Sequence, residues 1–226
     1  MKPANITDIF FDLDHTLWDF EKNSAVAFER IFAKHKIELE LQTFLECYIP
    51  INNNYWELYQ RDEITQEKLR CGRLNDTFCS LQFAISPEKI EELATDYIDH
   101  LPHSSHLFPG VLTSLEYLHK KYRLHIITNG FQEVQRRKMA SAKIDHYFKT
   151  VTTSDEVGVK KPNPKIFAHA LEKARVAKAN CLMIGDNLEA DIRGARDFGI
   201  QTLHFSQIGE PHPGLLLHHD ELLNLF

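Results

Sequence analysis

The segment Ile9-Phe10-Phe11-Asp12-Leu13-Asp14-His15-Thr16-Leu17 decides how the rest of the chain is read. Three apolar residues run without alternation and stop at Asp12, and such a run suits a strand covered on both faces, as in a parallel sheet. The figure recurs at residues 124–127, which stop at Thr128, and at residues 182–184, which stop at Gly185-Asp186. Residues 149–153 and 201–205 are weaker strand candidates. Between them lie helical patterns at 110–121, 131–143, 164–174 and 188–198, with Asn163 placed to cap and Pro164 at a first helical position. Alternating strands and helices predict a doubly wound α/β core.

Residues 18–100 read differently. Apolar and aromatic residues recur at helical spacing (Val26, Ile31, Phe32; Tyr55, Leu58, Tyr59), Ser86-Pro87 marks a helix start, and no convincing strand occurs. The expected organisation is a core of residues 1–17 and 101–226 interrupted by an all-helical insert, 18–100, with the chain returning near Phe108-Pro109-Gly110.

With 226 residues, 43% hydrophobic and 26% charged, the chain has a globular composition. Its 26 Lys and Arg against 32 Asp and Glu give a net charge of −6, which argues against nucleic acid as a partner. Four cysteines, Cys47, Cys71, Cys79 and Cys181, are too sparse for a disulfide scaffold and suit a reducing compartment. The first residues lack the charge-then-apolar pattern of a secretion signal, and no apolar run approaches a membrane span. A cytoplasmic location without membrane partners is expected.

Ligands of open parallel sheets bind at the carboxyl ends of the strands, where the polar residues ending these runs would gather. If the chain stays extended, Asp12 and Asp14 point to one side. Asp186 ends another run, and Asp191 follows it closely. Carboxylates gathered in one crevice repel one another unless a cation or a lysine compensates, and oxygen donors of this kind suit Mg²⁺. Each residue alone has an ordinary alternative: an Asp after a strand commonly caps a helix, Thr128 could cap the helix near Phe131, and Lys161 could be solvated. The shared position of these residues at strand ends, in one order, favours a site.

The four stretches together resemble the motifs of the haloacid dehalogenase-like (HAD) superfamily, of the type with a helical cap after the first motif: Asp12-Leu13-Asp14-His15-Thr16-Leu17, Thr128-Asn129-Gly130, Lys161-Pro162, and Gly185-Asp186 to Asp191. The resemblance covers nearly the whole chain. It implies a Rossmann-like core and Mg²⁺-dependent hydrolysis of a small phosphomonoester through an aspartyl-phosphate. By that pattern Asp12 is the nucleophile, Asp14 the acid and then the base, Thr128 a donor to the transferring group, and Lys161 a charge-balancing partner of Asp12. Asn129 and Gly130 would border the substrate. Asp12 and Asp186 would bind the metal directly, Asp14 through its backbone carbonyl, and Asp191 from an outer shell.

Dehalogenases of the superfamily lack an acid two residues after the nucleophile, so Asp14 favours phosphate esters. Residues 54–60 (Asn-Tyr-Trp-Glu-Leu-Tyr-Gln), with 127–131 and 156–163, are similar to bacterial pyrimidine 5'-nucleotidases. That makes Tyr55, Trp56 and Phe20 candidates to stack on a base, and Arg73 a candidate for a phosphate or sugar; the alternatives are cap core for the aromatics and a solvated arginine. A sugar-phosphate phosphatase or phosphomutase is the alternative activity, and a catalytically silent phosphate-binding protein the alternative of another class. The His-rich stretch 211–219 gives only a faint metal-site signal.

Overall fold

The computed structural model describes residues 5–207 and 214–226, so much of the His-rich stretch lies outside them. The chain divides into two compact units, Met1–Phe20 with Ser105–Phe226, and Glu21–Ser104.

The first unit is built on strands β1 (Asp8–Phe11), β2 (Arg123–Thr128), β3 (Phe148–Thr153), β4 (Cys181–Gly185), β5 (Gln201–Phe205) and β6 (Leu215–Leu216). They form one parallel sheet in the order β3-β2-β1-β4-β5-β6. β1 and β4 are buried along their whole length, as continuous apolar runs require when helices cover both faces. One such layer packs Phe10, Ile127 and Met183 of the sheet against Ile166, Phe167 and Ala170 of a helix. β1 lies between β2 and β4, so Asp12, Thr128 and Asp186 emerge from neighbouring strand ends beside the point where strand order reverses.

Local chemistry sets the helix starts. α1 (Phe20–His35), α2 (Leu41–Gln60), α3 (Gln66–Ser80) and α4 (Pro87–His100) supply the helical unit. Thr65 accepts from the Lys68 amide at the head of α3, and Ser86 from the Lys89 amide at the head of α4. In the first unit follow α5 (Val111–Leu118), α6 (Gln132–Ser141), α7 (Ser154–Val157) and α8 (Pro164–Ala174), where Asn163 accepts from the Lys165 amide ahead of Pro164. α9 (Gly194–Phe198) and α10 (Leu222–Leu225) complete it.

The helix predicted over 188–198 is a departure. Leu188–Arg193 winds as a π-helix before α9. The amides of Asp191 and Ile192 both reach the Asn187 carbonyl, and the Asp191 carboxylate accepts from the Asn187 amide, 3.1 Å away. The wider turn folds Asp191 back toward the end of β4. The helix predicted over 110–121 is shorter, Val111–Leu118, because its ends turn at Gly110 (φ 81°) and after Leu118. Strand β6 was not anticipated.

The helical unit has an aromatic interior. Phe28 stacks on Tyr97 at 4.6 Å and meets Phe44 and Tyr48 edge-on at 4.8 and 4.7 Å. Arg73 is buried here rather than solvated: it donates to Asn52 Oδ1 at 2.6 Å, with its guanidinium 5.0 Å from the Tyr97 ring centre. Tyr55 is buried and donates to Asp76 Oδ2 at 2.7 Å, while Trp56 is half-buried against Tyr59.

Candidate active site

Past Phe11 the chain leaves the extended conformation: the amides of Leu17 and Trp18 both bond the Leu13 carbonyl, and His15 takes a left-handed φ of 61°. Asp12 and Asp14 therefore do not share one partner set, as an extended segment would give them. The Asp12 carboxylate bonds Lys161 Nζ at 2.6 Å. Asp14 instead accepts from Lys138 Nζ at 2.7 Å and Gln135 Nε2 at 2.8 Å.

Asp12, Asp186 and Asp191 each offer a carboxylate oxygen within 4.8 Å of the others. The Asp14 carboxylate is not a member of this cluster, which leaves only its backbone carbonyl for the metal contact expected of it. Lys161 is buried, contrary to the solvated alternative. Its ammonium bonds Asp12, donates to the Ile127 carbonyl at 2.8 Å and lies 2.6 Å from Asp191 Oδ1. Asp191 is thus an ion-pair partner of Lys161 as well as a member of the cluster.

The electrostatics follow from crowding. Burial, reinforced by Asp191 and Asp186, pushes the Asp12 carboxyl well above its ordinary range against the pull of Lys161. Burial and then Asp191 raise Asp186 to about 7, opposed by the hydrogen bond from Thr16. Burial works against the Lys161 charge, but Asp12 and Asp191 outweigh it and keep the lysine protonated. The crowding makes it costly for all three carboxylates to be ionised beside a single ammonium; a divalent cation such as Mg²⁺ would relieve that cost, and the hard oxygen donor set fits it.

Thr128 Oγ1 accepts from the Gly130 amide at 3.0 Å and from Gln135 Nε2 at 2.8 Å, so its own proton is directed to a further acceptor. It is no cap for α6, whose Gln132 amide is met by Asp155 at 2.9 Å. Asn129 ties the second and third motifs together: its Oδ1 accepts from the Lys161 amide at 2.8 Å, and its Nδ2 donates to the Lys161 carbonyl at 3.0 Å. Gly130 lets Gln135 approach closely: a Cβ there would lie 2.2 Å from Gln135 Nε2 and would displace that amide.

Several residues at this site were missed by sequence reasoning. Gln135 and Lys138 lie one turn apart on α6, a spacing visible in the sequence but without meaning until the partner is known. Thr16 bonds Asp186 Oδ1 at 3.0 Å. His219 Nε2 donates to the Thr16 carbonyl at 2.7 Å and is held neutral by burial, its pKa lowered to about 4. Phe20, a candidate for base stacking, is buried against His15 and Trp18, with Lys138 Nζ 5.2 Å from its ring centre.

A family model described as haloacid dehalogenase-like hydrolase matches residues 9–205. Pyrimidine 5'-nucleotidase YjjG of Escherichia coli (strain K12) is 33% identical over 195 residues, 86% of this chain and 83% of that protein. A glyceraldehyde 3-phosphate phosphatase of Pyrococcus furiosus is 30% identical over 205 residues, 87% of this chain and 79% of that protein. Among solved structures, the HAD-hydrolase YfnB from Bacillus subtilis, bound to magnesium, superimposes with a TM-score of 0.87 at 23% identity, covering 98% of this chain and 99% of that one.

Proposed function

The chain belongs to the haloacid dehalogenase-like hydrolase family and is a phosphatase of that type, and from this premise we propose that it hydrolyses nucleoside 5'-monophosphates, pyrimidine ones by preference, through an aspartyl-phosphate on Asp12. The observation that carries the chemistry is the pairing of Asp12 with Lys161 beside Asp186 and Asp191, with a second acid, Asp14, held separately. The substrate reading rests on the likeness to the nucleotidase.

Asp12, in the ionised form that Lys161 and a bound divalent cation would together favour against the effect of burial, attacks phosphorus and displaces the ester oxygen; Asp14, carrying a proton in the substrate complex, gives that proton to the departing oxygen. Asp14 then takes a proton from the water that attacks the phosphoryl-aspartate, which restores Asp12 and releases phosphate. Thr128 donates to the phosphoryl oxygens, and Lys161 offsets their charge. Asp12 and Asp186 would hold the divalent cation, with Asp191 supporting from its place on Lys161. When bound, the cation neutralises phosphate charge and helps align the ester. The Glu21–Ser104 unit acts as a specificity cap, in which Trp56 is the candidate left for the base, since Tyr55 and Arg73 are taken up by the unit's own interior.

Two measurements test this. Asp12→Asn should abolish phosphate release while the thermal midpoint is retained; full activity would refute the nucleophile. On a panel of phosphorylated metabolites, UMP, dUMP and dTMP should be turned over faster than hexose and triose phosphates. Inert nucleotides beside reactive sugar phosphates would transfer the assignment to the sugar-phosphate alternative.

A further inference from the structure

We infer that Lys138 and Gln135, one turn apart on α6, are positioning residues for protonation of the leaving group: they hold both oxygens of Asp14 and fix the acid's direction. The inference rests on the reading of Asp14 as acid and base and extends it to residues outside the four motifs.

A carboxylate on a loop has two torsions to fix, and one hydrogen bond leaves rotation about the other. Asp14 has a separate donor on each oxygen, Lys138 Nζ on Oδ1 at 2.7 Å and Gln135 Nε2 on Oδ2 at 2.8 Å. Gln135 Nε2 also donates to Thr128 Oγ1 at 2.8 Å, so one amide links the acid to the hydroxyl assigned to the phosphoryl group. The Gln135 side chain is fully buried and lies against Gly130, in the space that a Cβ there would take.

Lys138 is confined as well. Its side chain is only 3% exposed, and its ammonium sits 4.4 Å from the ring centre of Trp18 and 5.2 Å from that of Phe20. Aromatic faces attract a cation without competing for its hydrogen-bonding direction toward the carboxylate. This accounts for aromatic residues in the segment Trp18-Asp19-Phe20 directly after the first motif. The site therefore contains two lysine–carboxylate assemblies, Lys161 with Asp12 and Asp191, and Lys138 with Asp14. The first serves the attacking group, the second the departing one.

Dependence on the leaving group separates this role from a merely structural one. An aliphatic alkoxide needs a proton to depart, whereas p-nitrophenolate does not, and kcat/KM reports only the steps through departure. The Lys138→Met variant keeps the side-chain length and apolar contacts. It should lose about 10- to 100-fold in kcat/KM on the fastest aliphatic phosphate ester of the metabolite panel, and less than about 3-fold on p-nitrophenyl phosphate. Lys138→Arg should recover part of the loss, and thermal melting of each variant guards against misfolding. Equal losses on both esters, or no loss on either, would overturn the positioning role. Asp14→Asn serves as reference: if it shows the selective pattern and Lys138→Met does not, the positioning role alone fails. If Asp14→Asn loses both esters equally, the acid assignment fails and the positioning role with it.

Discussion

Gly185 closes β4 immediately before Asp186, and a Cβ at this position would lie 2.4 Å from Asp191 Oδ2 and 2.5 Å from its Cγ. Neither atom can retreat freely, because the carboxylate is held by Lys161 and the Asn187 amide. Gly185→Ala should therefore cost about 1–3 kcal/mol of stability, as overpacking does, and displace one of three clustered carboxylates. The expected outcome is a lower thermal midpoint and a smaller rise in that midpoint on adding Mg²⁺, measured side by side with the parent protein. An unchanged Mg²⁺ response would show that Asp191 is dispensable for the cation. At this scale the sequence was partly legible. Asp12, Thr128, Lys161 and Asp186 announce themselves by ending apolar runs or sitting between motifs. Lys138, Gln135 and His219 do not, since a lysine on an amphipathic helix looks solvated until the fold places an acid and two aromatic rings beside it.

Among elements, those with local determinants matched their reading closely. Asn163-Pro164 and Ser86-Pro87 start helices because a side-chain acceptor and a proline without a donor suit the first turn. The π-helix at Leu188–Arg193 had no such signal, for its register is set by where the Asp191 carboxylate must go, which is a tertiary demand. β6 was invisible because two residues carry no periodicity. In the helical unit, α3 presents Arg73 to an aromatic interior, where its guanidinium donates to the Asn52 amide oxygen. Truncating Arg73 leaves the Asn52 oxygen only the longer hydrogen bond from the Tyr48 hydroxyl, 3.3 Å, in place of a short charge-assisted one, at about 1–3 kcal/mol. Arg73→Met should lower the urea midpoint by an amount in that range, and adding Asn52→Leu should recover part of it. A double variant weaker than the sum of the singles would contradict this account of the pair.

Over the whole molecule, the C-terminal segment is coupled to the candidate site through buried polar contacts rather than through the sheet alone. His219 Nε2 donates to the Thr16 carbonyl, Thr16 Oγ1 donates to Asp186, and Ser114 Oγ donates to the His219 carbonyl at 2.6 Å. Among the described residues no helix is long and apolar enough to cross a membrane, and buried contacts of this kind belong to the interior of the first unit. Burial lowers the His219 pKa to about 4, outweighing the Thr16 carbonyl and Asp220, which favour its charged form. In the unfolded chain the imidazole regains its ordinary value of about 6.5. Between those values the unfolded state binds the proton and the folded state does not. This histidine therefore withdraws no stability above about pH 6.5, withdraws it progressively as pH falls toward about 4, and withdraws no more below that. The difference corresponds to up to about 3 kcal/mol. His219→Gln retains an N–H donor for Thr16 but cannot titrate, so its stability should fall less steeply over this interval. Urea midpoints of parent and variant at pH 7.5, 5.5 and 4.5 read the effect directly: the two curves should converge as pH falls, and parallel curves would remove His219 from the account. His125, also buried with a lowered pKa, contributes to both curves alike, so the comparison isolates the histidine that connects the chain's C-terminal segment to Thr16 and Asp186.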